Sequence, residues 1–80
     1  MTLHDNDYIY LQTRWERYLK YRDIINKINN SPLEGRDWSA YNHACSIVVD
    51  SKNLIIDFLT RYGTYQNVLF VKQKIREIEK

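Results

Sequence analysis

Residues that interrupt regular structure are few in this chain and occur in two places. The 80 residues include one proline and two glycines, namely Pro32, Gly35 and Gly63. Because proline and glycine are the strongest interruptions of regular structure, they divide the chain into three uninterrupted segments. Sheet architectures with several hairpins need more turn residues than these. The spacing therefore favours three helices joined by two connections.

The first segment predicts a helix over about residues 7–28, following a flexible N-terminal segment of residues 1–6. Asn6 or Asp7 is the predicted N-cap. Apolar side chains recur at the spacing of one helix face. This face comprises Tyr8, Leu11, Trp15, Tyr18, Leu19 and Ile25.

The second segment predicts a helix that ends at Tyr62, with Gly63 as a left-handed C-terminal stop. The sequence allows two starting positions for this helix. The segment 31–34 has the form of a capping box with proline at the first helical position, and a separate turn followed by a new start at Asp37 is the alternative. Apolar residues cover more than half of this helix, which predicts that it is central and packs on two neighbours.

The third segment predicts a shorter helix over residues 65–79, with Thr64 as its N-cap. Its apolar stripe comprises Val68, Val71, Ile75 and Ile78. The runs 47–49 and 68–71 could also form short strands, but their surroundings have helical spacing. The predicted fold is a single all-α domain over residues 1–80. It is a three-helix bundle of two long antiparallel helices and a shorter C-terminal helix.

Known kinds of catalytic or metal site are not indicated by the sequence. His43 and Cys45 are two residues apart on a helix, so their side chains point about 200° apart and cannot share a metal ion or act as a nucleophile and its base. Asp50 and Asp57 share a polar strip, but no apolar surroundings would separate their pKa values. There is no glycine-rich phosphate loop. We expect no catalytic residues, no metal and no cofactor, and therefore a protein that is not an enzyme.

Charge and composition restrict the setting of the protein. No apolar run approaches the length of a membrane span, the first residues do not resemble a signal peptide, and a single cysteine cannot form an internal disulfide. These features predict a cytoplasmic protein. The net charge of +2 is small for a dedicated nucleic-acid binder. Residues with A/T-rich codons are frequent, which suggests a low-GC bacterium or one of its phages.

Two cations interrupt the apolar faces. Arg22 lies within the apolar face of the first helix, and Lys52 lies within that of the second. A buried unpaired cation is costly, so each side chain must extend to solvent, pair with an acid or face a partner. The candidate acids are Glu34, Asp37 and Glu79.

A row of aromatic and basic residues adjoins the core face of the first helix. We call it the ridge: Tyr10, Arg14, Arg17 and Tyr21. The spacings of four, three and four residues place these side chains in one line about 17 Å long. Tyrosine and arginine together are typical of protein-binding hot spots, and cations beside rings also suit nucleic acids. We predict that the ridge, together with Arg22, binds a partner.

Self-association is also predicted. Leu69 and Phe70 lie on the two sides of the third helix's apolar stripe, where no neighbour within one chain would cover them. A twofold homodimer is the commonest way to cover such residues. We therefore assign Leu69 and Phe70 to self-association.

The sequence as a whole predicts a small non-catalytic helical module that acts by binding another protein. An accessory or inhibitor protein of phage or mobile-element origin fits its size and codon bias. The alternative is a nucleic-acid-binding protein that uses the ridge.

Overall fold

The computed structural model describes residues 4–80, which form three α-helices. Helix α1 spans Asp5–Asn29, α2 spans Trp38–Tyr62 and α3 spans Tyr65–Ile78, and one turn of 3-10 helix covers Leu33–Gly35. No strand occurs within the described part of the chain. The predicted all-α three-helix bundle is confirmed.

The start of α1 differs from the prediction. The helix begins at Asp5, and His4 is its N-cap residue in place of Asn6 or Asp7. The Asp7 carboxylate accepts a hydrogen bond from the His4 backbone N–H at 2.9 Å, which closes the first turn one residue before Asp5. Residues 5 and 6, predicted to be flexible, are therefore helical. Residues 1–3 of that predicted segment lie outside the described residues.

The connection between α1 and α2 takes the second of the two predicted forms. The 3-10 turn is separate, and α2 begins anew with the Asp37 carboxylate accepting the Ala40 N–H at 3.0 Å. The Arg36 guanidinium donates to the carbonyl oxygens of Asn29 at 2.8 Å and Ser31 at 3.0 Å. It thereby satisfies groups that the end of α1 leaves unpaired. One arginine thus ties the connection to the helix that it follows.

The turn between α2 and α3 is tight for a steric reason. Gly63 has φ −101° and ψ −159°, so the predicted left-handed conformation is wrong. A Cβ atom at Gly63 would lie 3.0 Å from the Leu59 carbonyl oxygen and 3.0 Å from Asn67 Oδ1. Thr64 is the N-cap of α3 as predicted, accepting the Asn67 N–H at 3.2 Å, while Asn67 Oδ1 accepts the Thr64 N–H at 2.9 Å. Gly63 is therefore explained by the close approach of Leu59 and Asn67, and not by its backbone conformation.

Helix α2 is central, as its wide apolar arc predicts. It packs against both α1 and α3, whereas no Cα atom of α1 lies within 8 Å of a Cα atom of α3. The runs 47–49 and 68–71, for which strands were the alternative, lie inside α2 and α3. The buried apolar core comprises Tyr18, Ile25, Ala44, Val48, Ile55, Leu59, Val68 and Ile75.

The bundle is slender. It measures 50 × 22 × 15 Å, and the chain exposes 5985 Å² to solvent. A compact monomer of 9.7 kDa would expose about 5,100 Å². Over residues 4–80, no helix has the length and apolar character that crossing a membrane requires.

Candidate functional site

The ridge follows the seam between α1 and α2. Its first ring, Tyr10, stacks on Phe58 of α2 with a centroid separation of 4.8 Å. Its last ring, Tyr21, meets the edge of His43 at 6.1 Å. Both tyrosines are half-buried. The structure thus brings the predicted ridge together, with its two rings anchored on α2 at either end.

The two arginines of the ridge lie between these anchors. The Arg14 guanidinium is 5.1 Å from the centre of the Tyr10 ring, and the Arg17 guanidinium is 5.8 Å from that of Tyr21. Among residues 4–80, no carboxylate oxygen lies within 4.0 Å of either arginine. Arg14 Nε is buried and has no hydrogen-bond partner in the described chain. The ridge therefore carries two positive charges that lie beside tyrosine rings, and neither forms an ion pair with an acid of residues 4–80.

A shallow depression of about 280 Å³ separates the arginines from α2. Asp50 and the buried Ser51 line it on the α2 side, between the aliphatic residues Ile47 and Leu54. Asp50 adds one negative charge to this depression, against the two arginines.

Arg22 does not belong to the ridge. It lies at the opposite flank of α1, where its charge lowers the pKa of Glu79 at the end of α3. Its Nε atom is buried and, within residues 4–80, has no hydrogen-bond partner. The sequence assigned Arg22 to partner binding because it is a cation within the apolar face of the first helix, and the structure places it near Glu79.

Glu79 is the centre of a polar network between the three helices. Its carboxylate accepts a hydrogen bond from the Tyr18 hydroxyl at 2.7 Å and two from Lys52 Nζ at 3.0 and 3.1 Å. Lys52 is thus paired with one of the acids that the sequence offered. Burial, followed by the hydrogen bond to Glu79 and the charge of that carboxylate, raises the pKa of Tyr18 well above its usual range.

The pKa of Glu79 shifts in the opposite direction. Burial alone would raise it, but the hydrogen bonds from Tyr18 and Lys52 and the charges of Lys52 and Arg22 outweigh burial and lower it. The carboxylate is therefore held in its ionised form. The network fastens the C-terminal end of α3 to both long helices.

An open apolar groove lies between α1 and α3, with α2 as its floor. Its volume is about 370 Å³. It exists because both outer helices pack on α2 while their backbones stay apart. We call it the α1/α3 groove, and it is lined by Tyr8, Leu11, Gln12, Trp15, Ile55, Leu59, Phe70, Val71 and Lys74.

The two residues assigned to self-association differ in their relation to the α1/α3 groove. Phe70 forms one rim of the α1/α3 groove, and its side chain is 62% exposed. Leu69 is exposed but does not line the groove. The sequence assigned Phe70 to self-association because it falls beside the apolar stripe, but helix spacing alone could not show the groove between α1 and α3.

The residues considered for metal binding and catalysis are dispersed. His43 is exposed, and Cys45 is half-buried against the core. Asp57 pairs with Arg61 at 3.4 Å, whereas Asp50 lies in the depression beside the ridge. No group of three potential metal ligands occurs between residues 4 and 80.

No protein-family model, curated protein or solved structure matches this chain.

Proposed function

We propose that this chain is a non-catalytic interaction module that binds another protein through the ridge. The target that fits is an acidic, partly apolar segment. The observation that carries the proposal is the pair Arg14 and Arg17, whose guanidinium groups lie over tyrosine rings and have no carboxylate oxygen of residues 4–80 within 4.0 Å.

The chemistry of the ridge suits carboxylates. Arginine presents a planar set of donors that matches a carboxylate in a bidentate pair. Because each guanidinium already rests on a ring, less side-chain entropy is lost when a ligand binds. The half-buried rings of Tyr10 and Tyr21 add apolar contact area on either side. A segment with acidic residues flanked by apolar ones complements both features.

Nucleic acid is a weaker candidate for the same surface. Base stacking needs an open ring face, but Tyr10 has Phe58 at 4.8 Å and the Arg14 guanidinium at 5.1 Å. Asp50 in the adjoining depression would repel phosphate. The net charge of +2 supplies little long-range attraction to a polyanion. These observations favour a protein target.

Such a module acts by occupying a surface of its target. This mode of action suits an accessory or inhibitor protein of phage or mobile-element origin, which is the biological setting that we propose.

The test is a fluorescence anisotropy titration with a labelled peptide of alternating glutamate and leucine. Because a hot-spot arginine contributes about 2 kcal/mol or more, the double variant Arg14→Ala/Arg17→Ala should weaken binding by more than about tenfold. The matched control is Lys27→Ala/Arg61→Ala, which removes two charges already paired with acids at 3.0 and 3.4 Å. The control should bind within about twofold of the unmodified protein.

Two further measurements make the result decisive. The variant Arg14→Lys/Arg17→Lys keeps both charges but loses the bidentate donors, so it should lie between the unmodified protein and the alanine variant. An oligothymidylate serves as the nucleic-acid probe. Equal losses in the ridge and control variants would contradict the proposal, as would tighter binding of the oligonucleotide with a steep salt dependence.

A further inference from the structure

The α1/α3 groove and the Phe70 ring form a hole and a knob on one face of the molecule. Leu11 and Trp15 of α1 with Ile55 and Leu59 of α2 form an apolar interior, while Phe70 stands 62% exposed at the rim. A twofold interface uses the same patch on both copies, so a patch that contains both a projection and a recess can be complementary to itself. This face contains both.

The chain exposes more area than a compact monomer does, and the excess is close to the area that such an interface would cover. The chain exposes 5985 Å², roughly 900 Å² more than the roughly 5,100 Å² of a compact monomer of its mass. A stable protein–protein interface covers about 800 Å² on each partner. Burial of one face against a second copy would therefore bring the exposed area per chain to the value of a compact protein.

The chemistry of the groove distinguishes its occupant from the target of the ridge. Lys74 is the only charged residue that lines the groove within the described chain, and its Nζ lies 5.5 Å from the centre of the Phe70 ring. An acidic segment would find one cation here, whereas an aromatic ring finds an apolar interior. The fitting occupant is thus apolar, and Phe70 of a second copy supplies it.

We propose that the α1/α3 groove is the interface of a twofold homodimer, in which the Phe70 ring of each copy enters the groove of the other. Under the twofold rotation, Phe70 meets the opposite rim, which Tyr8 forms with a side chain 57% exposed. Leu69 lies outside this interface. The dimer is independent of the ridge, because the two lie on opposite flanks of α1.

Sedimentation equilibrium at micromolar concentration tests the proposal. The unmodified protein should have twice the chain mass of 9.7 kDa, and Phe70→Glu should be a monomer of 9.7 kDa. Because Phe70 is exposed, the variant should keep its fold, which circular dichroism checks. Tyr8→Ala should weaken dimerisation by at least about tenfold, as expected of an aromatic interface anchor. The control is Leu33→Glu, which places the same charge on a residue 70% exposed and outside the groove.

A second readout locates the contact. Trp15 lines the groove, so a protein carrying Trp38→Phe reports on the groove by the fluorescence of Trp15 alone. Its emission should shift to shorter wavelength as the protein concentration rises, because ring burial excludes water. A 9.7 kDa species at all micromolar concentrations would overturn the proposal. A dimer that Phe70→Glu leaves intact would overturn it equally.

Discussion

The two flanks of α1 differ in how far the neighbouring helices cover them. On the flank that carries the ridge, Tyr10 and Tyr21 pack on residues of α2, and the seam is closed except for a depression beside the arginines. On the other flank, Tyr18 of α1 binds Glu79 at the end of α3, and an apolar groove lies open between the two helices. One flank is left with unpaired positive charge and the other with uncovered apolar surface. Two chemically distinct surfaces thus lie on opposite flanks of one helix.

The largest expected effect on stability concerns the contact between Tyr18 of α1 and Glu79 at the end of α3. Tyr18→Ala removes a completely buried ring and the donor to Glu79, and it should lower the free energy of unfolding by about 3–5 kcal/mol. Tyr65→Ala is the matched control, because it truncates the same residue type where the side chain is 73% exposed. Its effect should stay within about 0.5 kcal/mol. Urea denaturation at one fixed protein concentration measures both. Similar losses in the two variants would show that the network does not anchor α3.

Acid should act on the same contact. Because the pKa of Glu79 is lower in the folded protein, its ionised form stabilises the fold above the usual glutamate pKa of about 4. This contribution is lost as the pH falls through the lowered value. Glu79→Gln should cost about 1–3 kcal/mol at neutral pH. As the pH is lowered below 5, the free energy of unfolding of the Glu79→Gln variant should also fall less steeply than that of the unmodified protein. Urea titrations at a series of pH values measure both. Parallel pH profiles for the two proteins would contradict the role assigned to the carboxylate.

A smaller effect concerns the turn that positions α3 and so the far wall of the groove. Gly63→Ala places a Cβ atom 3.0 Å from both Leu59 O and the Asn67 oxygen that caps α3, and it should cost about 1 kcal/mol. Gly35→Ala is the control, since a Cβ atom there meets nothing within 4 Å. It should be neutral or stabilise by about 0.4–1 kcal/mol through the unfolded state. Thermal unfolding compares the two. A stabilising Gly63→Ala would contradict the close approach.

The fold follows from local features of the sequence to a large extent. Helical spacing and the few turn residues can be read directly along the chain. The caps at Asp37 and Thr64 each accept a hydrogen bond from a backbone N–H three residues further on. For that reason, the three helices and the central position of α2 could be predicted. The early start of α1 depends on the hydrogen bond between His4 and Asp7, which composition alone does not indicate.

The candidate surfaces were predictable only in part. The ridge lies along one helix, so its spacing was sufficient to bring its four residues together. The α1/α3 groove involves three helices, and it exists because α1 and α3 both pack on α2 while their backbones stay apart, which no periodicity encodes. The position of Arg22 near Glu79 likewise depends on tertiary structure, because the two lie 57 positions apart along the chain.

The central claim is that the two flanks of α1 bind different partners independently. Sedimentation equilibrium with the labelled glutamate–leucine peptide tests it in one experiment, because it reports the mass of the protein and of the bound label together. We predict that Phe70→Glu is a 9.7 kDa monomer that binds the peptide with unchanged affinity. We predict that Arg14→Ala/Arg17→Ala remains a dimer and binds the peptide more than about tenfold more weakly. A single variant that abolishes both dimerisation and peptide binding while keeping its fold would contradict the account.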